Sequence, residues 1–397
     1  LNPCSVQKLI QGEKMLPFMN LRSGRWIAES LVVLLSMACF SQVWSKEVEP
    51  LHIGQAAPDF ELPGVDGKTY RLSDFKDSNL LLVLFTCNHC PTAQAYEQRI
   101  QELYADYKDR GVKLVAISPN AAEAVRLDEL GYTDLGDSLD DMKLRAKQRG
   151  FEFPYLYDGE TQMASTAYGV LATPHAFLFD SDRKLRYVGR IDDNEIKQPT
   201  RQDLRMAIDE LLAGRKVSVP ETPVFGCSTK WADKKQAAVD ALAKWNQEPA
   251  ELKLVTPDDL KKRLSEPSEK YRLVNVWATW CIPCVEEMEE LVTIHRMYRK
   301  RPLEVITVSA DDKTAFAEAA KVLNEKHCSA SNYILDAENR DSLFKAVDPE
   351  WKGAVPYTAL ISPEGKVLHR VHGEFDPLEL KRKIVEHIGR TYAADRK

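Results

Sequence analysis

The sequence predicts an α/β chain in which one unit, a mixed sheet flanked by helices, occurs twice. Three observations carry that expectation. Two cysteine pairs of equal spacing, Cys87-Asn88-His89-Cys90 and Cys281-Ile282-Pro283-Cys284, each close a strongly apolar run. An amphipathic stretch and a second apolar run follow each pair. An X-Pro dipeptide, Thr173-Pro174 in one half and Val355-Pro356 in the other, then stands directly before two short apolar segments.

Taken in order, Leu80 to Phe85 is continuously apolar and of strand length, the pattern of a strand buried on both faces. Tyr96, Ile100, Leu103, Tyr104 and Tyr107 then share one face of a helix. Val112 to Ile117 is the parallel partner strand, reached by that crossover. His175 to Phe179 and Leu185 to Val188 flank the polar turn Ser181-Asp182-Arg183-Lys184 and predict a hairpin, with a closing helix over 200–213. In the second copy the strands are Leu273 to Trp277 and Leu303 to Val308, with Val285, Met288 and Val292 on the helix between them. Its hairpin is Tyr357 to Ile361 with Val367 to Val371 around a Pro/Gly turn, and 377–389 closes it. Phe153 to Asp158 and Tyr333 to Asp336 mark an extra strand and helix before each proline. Strand, CxxC, helix, strand, X-Pro and hairpin is the order of the thioredoxin fold. We therefore expect two thioredoxin-like domains, 50–222 and 250–390, joined by a linker over 223–249 that contains a helix-compatible stretch from Trp231 to Trp245.

A chain of 397 residues, 44% hydrophobic and 29% charged, has the core material for two such domains. Its net charge of −6 offers no electrostatic footprint for nucleic acid. Residues 1–45 read as a leader: Arg22 and Arg25, an apolar stretch centred on Leu31 to Phe40, then a small-residue exit at Ser45. An uncleaved anchor and lipid attachment at Cys39 are the rival readings, and residues 1–14 precede Met15 and Met19. Cleavage leaves an exported chain without stable membrane insertion, periplasmic or otherwise extracytoplasmic, in an oxidising compartment.

A cysteine entering a helix N-terminus meets unpaired backbone N–H groups and a dipole that favours its thiolate. That reasoning makes Cys87 and Cys281 the attacking sulfurs, with Cys90 and Cys284 resolving the mixed disulfide. His89 adds an imidazole beside the first pair and should make it the more oxidising; Ile282-Pro283 adds no donor. An X-Pro bond in the cis form beside such a site turns the backbone of Thr173-Pro174 or Val355-Pro356 toward an extended substrate segment. Trp280 reads as a wall of the second site.

The second copy, through Asn275-Val276-Trp277-Ala278-Thr279-Trp280-Cys281-Ile282-Pro283-Cys284, resembles the TlpA/ResA-type exported thioredoxins over about residues 250 to 390. The first resembles a peroxiredoxin-like branch of the same superfamily over about residues 50 to 232. It does so through Ala57-Pro58-Asp59-Phe60, Cys87-Asn88-His89-Cys90-Pro91, Pro154 to Asp158, Gly189 to Asn194, and Gly226 to Trp231. The resemblance implies thiol-disulfide exchange with protein or small-molecule disulfides and a membrane or soluble thiol partner that resets the sites, without a cofactor. Asn275 stands where thioredoxins carry a buried aspartate, and Glu287 occupies a position where the TlpA/ResA type carries a glutamate, which implies a proton shuttle or else a solvated helix face. In the first copy Leu81 and Ala93 stand at those positions.

Two rivals remain. A peroxidase would need Pro-x-x-x-Thr-x-x-Cys, and counting back from Cys87 puts Leu80 at the proline position and Leu84 at the threonine position. A metal module would gather Cys87, Cys90, His175 and His89 on a soft ion. The separation of the two CxxC pairs is far beyond structural zinc spacing, and neither pair is followed by the histidine of covalent haem attachment. Cys227 is either an extra thiol over the first site or a small apolar residue, and Cys328 reads as structural; a bridge between the two is a further option.

Overall fold

The computed structural model describes residues 49–336 and 341–392; the leader expected over residues 1–45 lies outside them. No helix among the described residues is long and apolar enough to cross a membrane. The described residues form one compact unit that contains both thioredoxin-like copies.

In the first copy, Leu80–Phe85 is the central strand, parallel to Val112–Ser118 and antiparallel to His175–Phe179. Tyr155–Tyr157 and Leu185–Gly189 complete a five-stranded sheet at its two edges. The alternation of a strand explains why the run must be continuously apolar. Leu80, Leu82 and Leu84 pack with Tyr96, Ile100 and Leu103 of the helix Pro91–Tyr107 and with Leu204 and Ile208 of Asp203–Leu212. Leu81, Val83 and Phe85 face the other way, against Phe60, Phe75 and Tyr168. Loss of one such leucine side chain costs about 2–5 kcal/mol.

The second copy repeats the plan in six strands, in the order Leu252–Val255, Ser331–Leu335, Leu303–Ser309, Tyr271–Trp277, Tyr357–Ile361, Val367–His372. The edge strand Leu252–Val255 was not foreseen, because it exposes Lys253 and Leu254 and shows no apolar run. Both Thr173-Pro174 and Val355-Pro356 are cis.

The stretch 223–249 is built into the body. Cys227–Ser228 pairs antiparallel with Ala172–Thr173, and Lys235–Trp245 is a helix. The copies also meet directly. Buried Asp134 of the first copy sits 3.1 Å from Arg145, 2.6 Å from Arg390 and 3.3 Å from Arg382, the last two from the second copy. Nearby, the Tyr298 hydroxyl donates to the Thr133 carbonyl at 2.8 Å, and the Arg301 guanidinium lies 3.6 Å over the Tyr132 ring. Gly131 passes so close that a Cβ there would stand 2.9 Å from the Met297 carbonyl oxygen. The two copies are therefore not beads on a flexible tether.

Candidate active site

The strand Leu80–Phe85 delivers Cys87, but the helix that follows begins only at Pro91, and Cys90 is its N-cap. Proline at the first helical position needs no N–H partner, so the helix starts there rather than at the first cysteine. In place of a helical turn, Asp137 accepts the backbone N–H groups of Asn88 and His89 at 2.9 and 3.0 Å. The sequence placed Cys87 at the helix N-terminus; the structure gives that position to Cys90, whose Sγ accepts from Ala93 N–H at 3.5 Å.

Asp137 also lies 2.5 Å from His89 Nδ1 and accepts from Asn120 Nδ2 at 2.7 Å. Burial disfavours charge on both partners, yet their mutual attraction prevails: His89 is raised above its ordinary value and Asp137 lowered. Both shifts favour the charged forms, imidazolium and carboxylate. Burial also opposes a thiolate at Cys90, but hydrogen bonds from Cys227 and Cys87, the His89 charge and the Ala93 N–H outweigh it and lower that thiol. Burial and the hydrogen bond with Cys90 raise Cys87, whose Sγ is 3.1 Å from Thr173 Oγ1. The two thiols are thus pushed in opposite directions, which favours a thiolate at Cys90 over one at Cys87.

Both cysteines are buried, with Cys87 only 3% exposed. The cover is the chain's own segment at Cys227. Its N–H donates to Cys90 Sγ at 3.4 Å, and its backbone pairs with Thr173, the edge expected to receive substrate. Cys227 thus lies against the Cys87–Cys90 pair, and Cys328 is buried in the core of the second copy, apart from it. His175 does not join the dithiol. Its ring lies 4.4 Å from that of Phe177, and burial pushes it down to about 3. The groups that do converge with ligand-like spacing are Cys87, His89 and Asp137, within 4.8 Å of one another. Asp137 is already committed there to the two backbone N–H groups, Asn120 and His89.

The second site is built differently. Tyr271–Trp277 leads to Cys281, which is the N-cap of Ile282–Tyr298, as the sequence predicts. Cys281 and Cys284 form a disulfide. On either side of Cys281, Trp280 is 57% and Ile282 71% exposed, so an apolar rim surrounds this pair. Val355 and Pro356 lead into the strand Tyr357–Ile361, whose Thr358 accepts from Asn275 Nδ2 at 3.0 Å. Asn275 also donates to Glu287 at 2.8 Å, and Phe375 N–H to the same carboxylate at 3.3 Å. Burial pushes Glu287 up to about 7 against these two donors. The glutamate is thus a buried group whose carboxyl is held above its ordinary value, not a solvated helix face.

Sequence reasoning missed Asp137, Asn120 and Tyr392. Asp137 lies in a polar stretch without periodicity, and nothing in its neighbours marks it as the partner of His89. Tyr392, whose hydroxyl hydrogen-bonds Cys227, arrives from the far end of the chain.

The AhpC/TSA family model matches residues 53–188 and 245–370. The thiol-disulfide oxidoreductase ResA of Bacillus cereus is 33% identical over 144 residues, 36% of this chain and 71% of the relative. That of Bacillus thuringiensis subsp. konkukian is 30% identical over 163 residues, 39% of this chain and 82% of the relative. Among solved structures, a hypothetical protein of Sinorhizobium meliloti 1021 is 36% identical, with 46% of this chain and 97% of that one covered and a TM-score of 0.42. An uncharacterized conserved protein of Geobacillus kaustophilus is 39% identical over 45% of this chain and 92% of its own, with a TM-score of 0.41.

Proposed function

The chain belongs to the AhpC/TSA family in both of its halves, and from that premise we propose that it is an exported thiol-disulfide oxidoreductase acting through two CxxC sites. The observation that carries the reading is the second site: a helix-capping Cys281, disulfide-bonded to Cys284, ringed by exposed Trp280 and Ile282 and backed by buried Glu287. The charged and apolar leader pattern of residues 1–45 supports export.

In the reducing direction, Cys281 thiolate attacks one sulfur of a substrate disulfide, and the other substrate sulfur leaves. Cys284, deprotonated toward Glu287, then attacks Cys281 Sγ in the mixed disulfide; the substrate departs as a dithiol and Cys281–Cys284 remains oxidised. A membrane or soluble thiol partner returns two electrons and two protons. Cys87 and Cys90 perform the same exchange in the first copy, with the His89–Asp137 pair favouring the thiolate.

The test is to equilibrate the reduced protein across glutathione ratios, alkylate free thiols and locate the remaining disulfides by mass spectrometry. Reversible closure of Cys87–Cys90 and Cys281–Cys284 at separate potentials supports two redox sites. A pair that stays reduced at every ratio is no redox site.

A further inference from the structure

Segment 226–230 lies where an extended substrate would lie. Cys227 and Ser228 run antiparallel to Ala172 and Thr173, with Thr173 directly opposite Cys227. Gly226 makes this approach possible: at φ +142°, a Cβ would stand 2.0 Å from the Thr173 carbonyl oxygen. Beyond Cys227 the segment is fastened at Lys230, whose N–H donates to Asn120 Oδ1 at 2.8 Å and whose carbonyl accepts from Ala121 N–H at 2.9 Å. Gln162 Nε2 adds a second bond to that carbonyl at 2.9 Å. On the other side, Phe225 and Gly226 border an open hollow with Thr92, Asn194 and Tyr392. Cys90 Sγ is central to the arrangement, hydrogen-bonded to Cys87 on one side and to Cys227 on the other.

We propose that segment 226–230 is a tethered substrate strand, and that Cys227 is a third redox thiol that takes Cys90 from Cys87 as disulfide partner. This rests on the first site exchanging disulfides as argued above. Once a substrate disulfide has oxidised Cys87 and Cys90, Cys227 loses its proton and its thiolate attacks Cys90 Sγ. The Cys87–Cys90 bond breaks, Cys90–Cys227 forms, and Cys87 leaves as a thiolate that takes up a proton. No electrons are gained or lost in this step. Cys87 is thereby returned to the thiol form while the oxidising equivalent is stored beneath the strap. A dithiol partner then resets it with two electrons and two protons.

The experiment compares the full chain with its Cys87→Ser, Cys227→Ser and Gly226→Ala variants after oxidation by oxidised glutathione, acid quench, alkylation and disulfide mapping. In Cys87→Ser, Cys90 and Cys227 are expected to form the major internal disulfide of the first copy. Accumulation of Cys90 as its glutathione adduct, with Cys227 alkylated, would overturn the proposal. Gly226→Ala displaces the strand and should lower the yield of Cys90–Cys227 at least tenfold while Cys87–Cys90 still closes; an unchanged yield also overturns it. Cys227→Ser separates the two levels of argument. If Cys87–Cys90 closes there but Cys90–Cys227 never appears in Cys87→Ser, only the third-thiol proposal fails. If Cys87–Cys90 does not close even there, exchange at the first site fails and the proposal with it.

Discussion

Asp137 holds His89 by its imidazole Nδ1 at 2.5 Å and by its backbone N–H at 3.0 Å, so one carboxylate fixes both the charge and the position of the residue between the first two cysteines. Three residues earlier the same loop carries Asp134 into the seam between the copies. The electrostatics of the first site are therefore set by a loop that the second copy holds in place.

Removing the imidazolium should make the first site more reducing. His89 favours the thiolate, which exists only in the reduced form, so its loss destabilises that form and lowers the potential. His89→Ala is expected to shift the Cys87–Cys90 potential downward by about 30 mV or more, the equivalent of about 1.4 kcal/mol for a two-electron couple. Glutathione equilibration with thiol trapping measures it. An unchanged potential would remove His89 from the argument that the first site is the more oxidising of the two.

Glu287 should leave its mark on a pH profile. With its carboxyl raised to about 7 by burial, the folded state binds a proton that the unfolded chain releases near 4.5, so stability falls as pH rises between those values. Glu287→Gln is expected to flatten that decline, gaining roughly 1–2 kcal/mol at pH 8. It should also slow turnover of a disulfide substrate about tenfold near neutral pH and abolish an inflection near 7 in the rate. Urea melts at several pH values and stopped-flow turnover read the two effects separately.

The apolar rim of the second site should select large substrates. Trp280→Ala with Ile282→Ser removes exposed apolar surface that only a protein partner can cover. Turnover of a reducible protein is expected to fall about tenfold, while exchange with glutathione changes less than twofold. Equal losses for both would place these side chains in the chemistry rather than in docking.

The plan of each copy was legible because its determinants are local and repeat: a continuous apolar run for a strand buried on both faces, the spacing of Tyr96, Ile100, Leu103 and Tyr107 for a helix, and a proline ahead of the hairpin. The four CxxC cysteines followed from their place after those strands. What brings Asp137 to His89 or Cys227 to Thr173 is a pairing across a long stretch of chain, two residues or one side chain long, and it leaves no period behind. The offset of the first helix was hidden for another reason, since Pro91 and Asp137 together decide where it begins.

Breaking the seam should cost stability in a defined pH range. Burial opposes the Asp134 charge, but the Arg390 hydrogen bond and the Arg145 and Arg390 charges hold it down at about 2. A carboxyl lowered in the fold adds stability above its ordinary value near 4 and loses it as pH falls toward 2. Asp134→Asn leaves the buried Arg145 guanidinium with Glu97, 3.7 Å away, and takes a counter-charge from Arg382 and Arg390; it should cost about 3 kcal/mol at pH 7, with little difference from the parent at pH 2. Calorimetry at the two pH values checks it, and a parent chain that melts in two independent steps would argue against a shared seam.

The loop Ala213 to Lys216 is exposed, and it divides the chain unequally: the strand that covers Cys90 lies beyond it, on the side of the second copy. A tryptic nick after Arg215 would yield two fragments, the first holding Cys87, Cys90 and Asp134, the second holding Cys227 and Arg390. Neither is complete. Across the cut, Val188 N–H still donates to the Pro220 carbonyl at 2.9 Å, Thr222 N–H to that of Val188 at 3.1 Å, and Asp134 still meets Arg390. The protein is, in effect, a pair of complementary fragments written as one chain, and its halves should reassociate after nicking into a particle with a working first site.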